Sequence, residues 1–318
     1  MRKEFATFHL DVSYFFVSNA KWLFLLKQEQ RRNKMISGKT KLAGLFADPA
    51  SHSLSPLMHN TAFEANNIDA VYLAFKVNPM NLKQAVESIR TFDMLGVNLS
   101  MPNKTAVIPY LDEVSQEAQL IGAVNTIVHE KGRLIGYNTD GAGFMQSVQE
   151  AGISVKKKKM TLLGAGGAAK AVTVQAALDG AKEIVVYKRN NQTFAQVKET
   201  FEQLSYRTSC EIKVRNFADT DQLRKDLKES CLLVNATDIG MGKKIDQSPL
   251  LDISMMHENL AVFDLIYAPR ETRLLKEAKK VGAKGYNGLG MLIYQGAIAF
   301  ELWTKEKMPI HVIEKLFD

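Results

Sequence analysis

Met160-Thr161-Leu162-Leu163-Gly164-Ala165-Gly166-Gly167-Ala168-Ala169 decides the fold of this chain. Its first four residues are a short apolar run of the kind that forms a strand buried on both faces. Gly164-x-Gly166-x-x-Ala169 follows at once and opens a helical segment, Ala168 to Leu178, that ends at Gly180. Glu183 to Tyr187 supplies the next strand and completes a strand, helix, strand unit. The glycine motif is weak by itself, but between a strand and a helix it has a mechanism. Gly164 permits a tight turn, Gly166 lets backbone approach a pyrophosphate, and the free N–H groups of the helix start attract the anion. Backbone from Gly164, Ala165, Gly166, Gly167 and Ala168 is therefore expected to hold a dinucleotide, with small Ala169 keeping the helix close to its strand.

Cofactor choice turns on the end of the second strand, where an acidic residue normally grips the ribose hydroxyls. Tyr187-Lys188-Arg189-Asn190-Asn191 stands there instead. Lys188 or Arg189 suits a 2′-phosphate, Arg with the better bidentate geometry, which favours NADP over NAD; the alternative is two surface cations at a strand end.

Upstream, the same alternation begins at Lys41. Lys41 to Phe46 reads as a strand, Pro56 to Asn66 as a helix, Val71 to Val77 as a strand, Asn81 to Phe92 as a helix and Gly96 to Leu99 as a strand. Pro102 marks the loop entering a helix that holds Lys104, and Ala123 to His129 and Leu134 to Tyr137 flank a hairpin turn at Lys131-Gly132. A helix runs from Asp140 through Glu150. Downstream of the dinucleotide unit, Cys231 to Ala236 and Ala261 to Leu265 are short strands, Leu274 to Lys280 is a helix, and Met291 to Trp303 is a long apolar helix. The expected architecture is two α/β domains, the second a Rossmann-type dinucleotide-binding domain, with the C-terminal helix returning to the first. The boundaries expected are 1–34 for an N-terminal extension, 35–138 plus 289–318 for a substrate-binding domain and 139–288 for the NAD(P)-binding domain.

Composition narrows the function classes. A hydrophobic content of 46% with 24% charged residues is that of a globular chain. The first 34 residues hold seven basic and three acidic side chains, leaving only +3 of the +7 formal charge for the body, so no nucleic-acid partner is expected. The basic run from Lys156 to Lys159 reads as solvated residues entering a strand. Val12 to Leu26 is too short and too broken by polar residues to span a bilayer and lacks a signal-peptide pattern; an extra helix, or sequence upstream of a start at Met35, fits better. Cys210 and Cys231 have neither metal-type spacing nor a histidine cluster, so a reduced cytoplasmic setting without metal is expected.

The chemistry concentrates ahead of the dinucleotide loop, in Gly96-Val97-Asn98-Leu99-Ser100-Met101-Pro102-Asn103-Lys104, Gly122-Ala123-Val124-Asn125-Thr126 and Gly136-Tyr137-Asn138-Thr139-Asp140-Gly141. Oxidising a secondary alcohol requires hydride departure and proton removal, and a lysine beside a carboxylate can manage the proton. A free lysine titrates near about 10.4, so it needs burial or a relay to work near neutrality. Lys104 and Asp140 are thus a candidate acid/base unit, with the proton's holder left open; a structural ion pair is the alternative reading.

At these segments the sequence resembles the shikimate/quinate dehydrogenase family, across nearly all of Lys41 to Phe317. Ser53-Leu54-Ser55-Pro56-Leu57-Met58-His59-Asn60 is similar to the family's carboxylate-binding segment, which implies that Ser53 and Ser55 hold a substrate carboxylate. The resemblance further implies acid/base roles for Lys104 and Asp140, and contacts from Ser100, Asn125 and Gln295 to ring hydroxyls. It places Asn235-Ala236-Thr237 near the nicotinamide ribose, Tyr267 of Asp264-Leu265-Ile266-Tyr267-Ala268-Pro269 at the substrate, and Gly288 and Met291 of Gly285-Tyr286-Asn287-Gly288-Leu289-Gly290-Met291 at the cofactor. His52 and His59 are read as structural. Ser100 stands where the shikimate-specific subgroup usually has threonine, which looks more like the dual quinate/shikimate subgroup, whereas Asn191 stands where that subgroup tends to be acidic. Asp238 replaces a proline or small residue common in relatives.

What the resemblance implies is reversible NAD(P)-dependent oxidation of shikimate, and of quinate, to the 3-dehydro ketone, in aromatic amino-acid biosynthesis or quinate utilisation. The expected partners are these small molecules, with no nucleic acid and no membrane; a homodimer is common among similar enzymes. A catalytically silent quinate/shikimate sensor, or a dehydrogenase for another hydroxylated cyclic acid such as an aminoshikimate, are the competing readings.

Overall fold

The computed structural model describes residues 36–317, so the expected extension at 1–34 lies outside the described residues. The chain divides into Met1–Thr40, of which residues 36–40 form a turn closed by the Thr40 N–H on the Ser37 carbonyl, and Lys41–Asp318. The latter unit contains two six-stranded sheets.

The first sheet is built from β1 (Lys41–Ala47), β2 (Ala70–Lys76), β3 (Gly96–Leu99), β4 (Glu113–Val114), β5 (Thr126–Glu130) and β6 (Arg133–Tyr137), in the order β2-β1-β3-β5-β6-β4. β5 runs antiparallel to both β3 and β6, and the other pairings are parallel. Around it stand α1 (Ser55–Ala65), α2 (Leu82–Thr91), α3 (Asn103–Ala106) and α4 (Gln116–Ile121). The segment Ala123 to Asn125, expected within a strand, is instead a loop: Gly122 takes left-handed φ of 70° at the end of α4, and the Val124 N–H turns aside to the Lys104 carbonyl at 2.8 Å.

The second sheet holds β7 (Lys159–Leu163), β8 (Glu183–Lys188), β9 (Glu211–Asn216), β10 (Ser230–Asn235), β11 (Ala261–Asp264) and β12 (Lys284–Tyr286), all parallel, in the order β12-β11-β10-β7-β8-β9. That is the doubly wound Rossmann order, with its topological switch between β7 and β10. Its helices include α5 (Asp140–Glu150), α6 (Gly167–Leu178), α7 (Phe194–Thr208), α8 (Thr220–Glu229) and α9 (Arg273–Lys280). One expectation is corrected here. Lys159 is not a solvated entry residue: it lies inside β7, its side chain 10% exposed, with the ammonium 2.7 Å from Asp226 and 2.9 Å from Glu229. An ammonium on a central strand, shielded from water, must find carboxylates, and α8 brings them.

The chain ends with α10 (Leu289–Thr304) and α11 (Ile310–Glu314). α10 packs into the core of the first domain, where Ile293, Phe300 and Trp303 meet Met58, Phe63 and Tyr72, and the Trp303 indole donates to the Ile127 carbonyl at 2.9 Å. Two glycines let α5 sit against helices of both domains. A Cβ at Gly141 would stand 2.4 Å from the Ala171 carbonyl oxygen on α6, and one at Gly143 would stand 2.4 Å from the Gln295 nitrogen on α10.

His59 lies wholly buried in this core, stacked on Tyr72 at 4.5 Å between ring centroids, with neither ring nitrogen hydrogen-bonded. Burial holds its pKa down at about 3, against 6.5 for the free side chain. Below pH 6.5 the unfolded chain therefore takes up a proton that the folded chain refuses until about pH 3, so stability falls as pH drops through that window. The slope from this one group reaches about 1.4 kcal/mol per pH unit. His59→Leu removes it. The difference in urea-unfolding free energy, wild type minus variant, should shrink between pH 7 and pH 5; a difference that stays constant would show that this histidine does not resist protonation in the fold.

Candidate active site

Three backbone ties assemble the first site. The Leu99 N–H at the end of β3 donates to the Asn125 carbonyl at 2.8 Å, the Val124 N–H to the Lys104 carbonyl at 2.8 Å, and the Asn125 N–H to the Tyr137 carbonyl at 2.9 Å. Asn103, fully buried, anchors α3 by donating its side-chain amide to the Val77 carbonyl at 2.8 Å. The next residue, Lys104, therefore leaves the start of α3 in a fixed direction. At the other side Asn138 donates to the Ala123 carbonyl at 2.9 Å and accepts the Asp140 N–H at 3.1 Å, which sets Asp140 at the first turn of α5.

These ties bring the Lys104 ammonium to 2.5 Å from one Asp140 carboxylate oxygen. The other oxygen accepts from the Asn125 amide at 2.8 Å. The pair is partly open, with side chains 26% and 15% exposed, and it faces a cavity of about 390 Å³. Ser53, Ser55, Ser100, Lys104, Asn125 and Asp140 line that cavity, together with Tyr267, Gly288, Met291 and Gln295. The Gln295 side-chain oxygen lies 3.5 Å from the Asn125 amide. Ser53 and Ser55 stand at the entry to α1, the Ser53 hydroxyl accepting the Ser55 N–H at 3.2 Å. Asn98 and His52 also line the cavity. Asn98 belongs to the Gly96–Lys104 segment, whereas His52 reads as structural from its sequence, because nothing in its local pattern distinguishes a rim histidine from a packed one.

A second cavity, also about 390 Å³, opens at the switch point of the parallel sheet. Gly164, Ala165, Gly166, Lys188, Arg189 and Thr237 line it. A Cβ built on Gly166 or Gly167 would meet nothing within 4 Å, so free space lies before the start of α6, where backbone N–H groups have no helical acceptor. Gly167 and Ala168 are exposed beside this cavity without lining it. Asn235 does not line it either: it is fully buried, donates to Asp264 at 3.0 Å and accepts the Thr237 hydroxyl at 2.7 Å. Its work is to shape the loop that presents Thr237. Asp264, buried and held also by Thr272 at 2.7 Å and the Ile266 N–H at 3.1 Å, steadies the turn before Tyr267, and burial pushes its carboxyl above the ordinary range despite those bonds.

The Lys188 ammonium is 2.6 Å from the Asn191 side-chain oxygen, while Asp238 and Lys244, paired at 2.7 Å, form part of the same wall. Lys244 has no local sequence signal, because only a tight turn, Gly242–Lys244, carries it back to the loop after β10. Among the described residues no group of three His, Cys, Asp or Glu side chains is arranged to hold a metal ion, and no helix is long and apolar enough to cross a membrane.

Comparison with known proteins agrees with this geometry. A family model described as the shikimate dehydrogenase substrate binding domain matches residues 45–127, and one described as the shikimate 5′-dehydrogenase C-terminal domain matches residues 288–316. Shikimate dehydrogenase (NADP(+)) of Listeria innocua is 45% identical over 281 residues, covering 88% of this chain and 97% of the relative. The structure of shikimate 5-dehydrogenase from Listeria monocytogenes in complex with shikimate and NAD superposes with a TM-score of 0.88 at 44% identity, covering 90% of this chain and 99% of that one. Quinate dehydrogenase from Corynebacterium glutamicum, solved with NAD, gives a TM-score of 0.79 at 27% identity, covering 87% and 98%.

Proposed function

The chain belongs to the shikimate dehydrogenase family, and from that premise we propose that it catalyses the reversible NADP-dependent oxidation of shikimate to 3-dehydroshikimate. The observation that carries the reading is the Lys104–Asp140 pair, hydrogen-bonded and open to a cavity that Ser53, Ser55, Asn125 and Gln295 also line. In this reading residues 35–138 with 289–318 form the substrate-binding domain and residues 139–288 the cofactor-binding domain.

The substrate carboxylate lies against the hydroxyls of Ser53 and Ser55, and ring hydroxyls face Ser100, Asn125 and Gln295, each able to donate or accept. Tyr267 and Met291 bound the ring and the nicotinamide side, with the Gly288 backbone between them. Lys104 contacts the reacting hydroxyl and exchanges its proton, and Asp140 fixes the direction of the ammonium. The dinucleotide, when bound, accepts or returns the hydride. Its pyrophosphate rests on Gly164 to Ala168 at the start of α6, and Thr237 borders the nicotinamide ribose. Lys188 and Arg189, with no carboxylate at the end of β8, favour a 2′-phosphate and hence NADP over NAD. Quinate presents a carboxylate and ring hydroxyls to the same donors, and Ser100 in place of threonine supports it as a second substrate.

Initial rates with shikimate and quinate, each with NADP and NAD, test the assignment. Shikimate with NADP should give the highest kcat/KM; no turnover in any of the four combinations would defeat it. Ser53→Ala combined with Ser55→Ala should raise the KM for shikimate about tenfold or more while kcat falls much less. An unchanged KM would remove these hydroxyls from the carboxylate site.

A further inference from the structure

The hydrogen bonds that end on Asp140 begin far from it. The Tyr72 hydroxyl, on β2 and wholly buried, donates to the Asn98 side-chain oxygen at 2.8 Å. The Asn98 amide donates to the Thr126 hydroxyl at 3.0 Å, and that hydroxyl donates to the Asn125 side-chain oxygen at 3.0 Å. The Asn125 amide then donates to Asp140 at 2.8 Å. Four links run in one direction, each donor pointing toward the carboxylate.

The direction is forced by backbone groups. The Asn98 amide also faces the Asn125 carbonyl at 3.3 Å, which can only accept, so its nitrogen must lie on that side and its oxygen toward Tyr72. The Asn125 side-chain oxygen accepts the Thr139 N–H at 2.8 Å, which can only donate, so its nitrogen must face Asp140. With both amides fixed, the Thr126 hydroxyl accepts from one and donates to the other, and only a donor can satisfy the Asn98 oxygen at the far end. Buried chains of this kind polarise each member in turn and hold one geometry, because every misplaced member leaves an unpaired polar atom in a low-dielectric interior.

We propose that Tyr72 is a positioning residue for catalysis, acting through Asn98, Thr126 and Asn125 to fix the orientation of the Asp140 carboxylate that aims Lys104. The proposal rests on the shikimate dehydrogenase reading. Tyr72 does not itself line the cavity, although its hydroxyl meets Asn98 and Ser55, which do; it closes the far end of the chain by satisfying the Asn98 oxygen. Phenylalanine at this position keeps the ring stacked on His59 and removes the hydroxyl, with its bond to Asn98 and its bond to Ser55.

The test is a double-mutant cycle on kcat for shikimate oxidation, using Tyr72→Phe, Thr126→Val and the two combined, with the NADP dissociation constant measured for each. Each single variant should lose about tenfold in kcat with cofactor affinity unchanged, and the double variant should lose no more than the worse single, since a chain once broken cannot be broken again. Losses that multiply, or a Tyr72→Phe enzyme with wild-type kcat, would overturn the proposal. If Tyr72→Phe fails to bind NADP, Thr126→Val decides: a tenfold loss in kcat with intact NADP binding supports the chain, and an unchanged kcat overturns it. Wild-type protein without shikimate turnover would defeat the assignment of the reaction and the positioning role with it, an outcome distinct from an active wild type with an indifferent variant.

Discussion

Helix α5 can stand between the two domains only because Gly141 and Gly143 have no side chains, and the active-site geometry depends on that constraint. Through Gly141 its backbone meets α6, whose start faces the second cavity, and through Gly143 it meets α10, which carries Met291 and Gln295. Asp140 sits on the first turn of this wedged helix. The distance between the Lys104–Asp140 pair and the Gly164–Ala168 loop is therefore set by helix packing, which has little freedom, rather than by loops, which have more. A methyl group at either glycine would have to push α6 or α10 away, and with it the cavity walls those helices carry.

Around that wedge the buried polar groups divide the labour. Asp140 accepts on both oxygens, from Lys104 and Asn125. Asn235 and Asp264 join the ends of β10 and β11 and shape the loops bearing Thr237 and Tyr267 without reaching either cavity. Lys159 and Asp226 perform a similar service beneath β8, where Asp226 also accepts the buried Tyr187 hydroxyl at 2.6 Å just before Lys188 and Arg189. In each case a side chain whose type suggests chemistry instead positions the backbone that carries it.

Much of this was legible from the residues alone. The parallel dinucleotide unit was readable because a buried strand, a glycine turn and a helix leave distinct marks over a short span. Lys104, Asp140 and the GAVNT segment stood out because polar residues punctuated by glycine interrupt otherwise apolar strands. Elements that depend on partners were harder. β9 and α8 are amphipathic and polar; β9 becomes recognisable only once β8 provides an edge to pair with, and α8 only once β7 and β10 give its apolar face a seat. The inward turn of Lys159 needed Asp226, 67 residues away. Tyr72 carried no signal, and Thr126 none beyond its place in the GAVNT segment, since a tyrosine in an apolar strand and a threonine after an asparagine are ordinary until the sheet sets them in one line.

Lys104 is the proposed group that exchanges the proton, and the remaining residues are its scaffold. Turnover and ligand affinity measured together on Lys104→Ala test this most directly. The variant should bind NADP as the wild type does and keep most of its affinity for shikimate, while kcat falls by about 10² to 10⁴. A kcat near that of the wild type would contradict the account, because no other cation among the described residues that line the first cavity stands beside Asp140 to take its place.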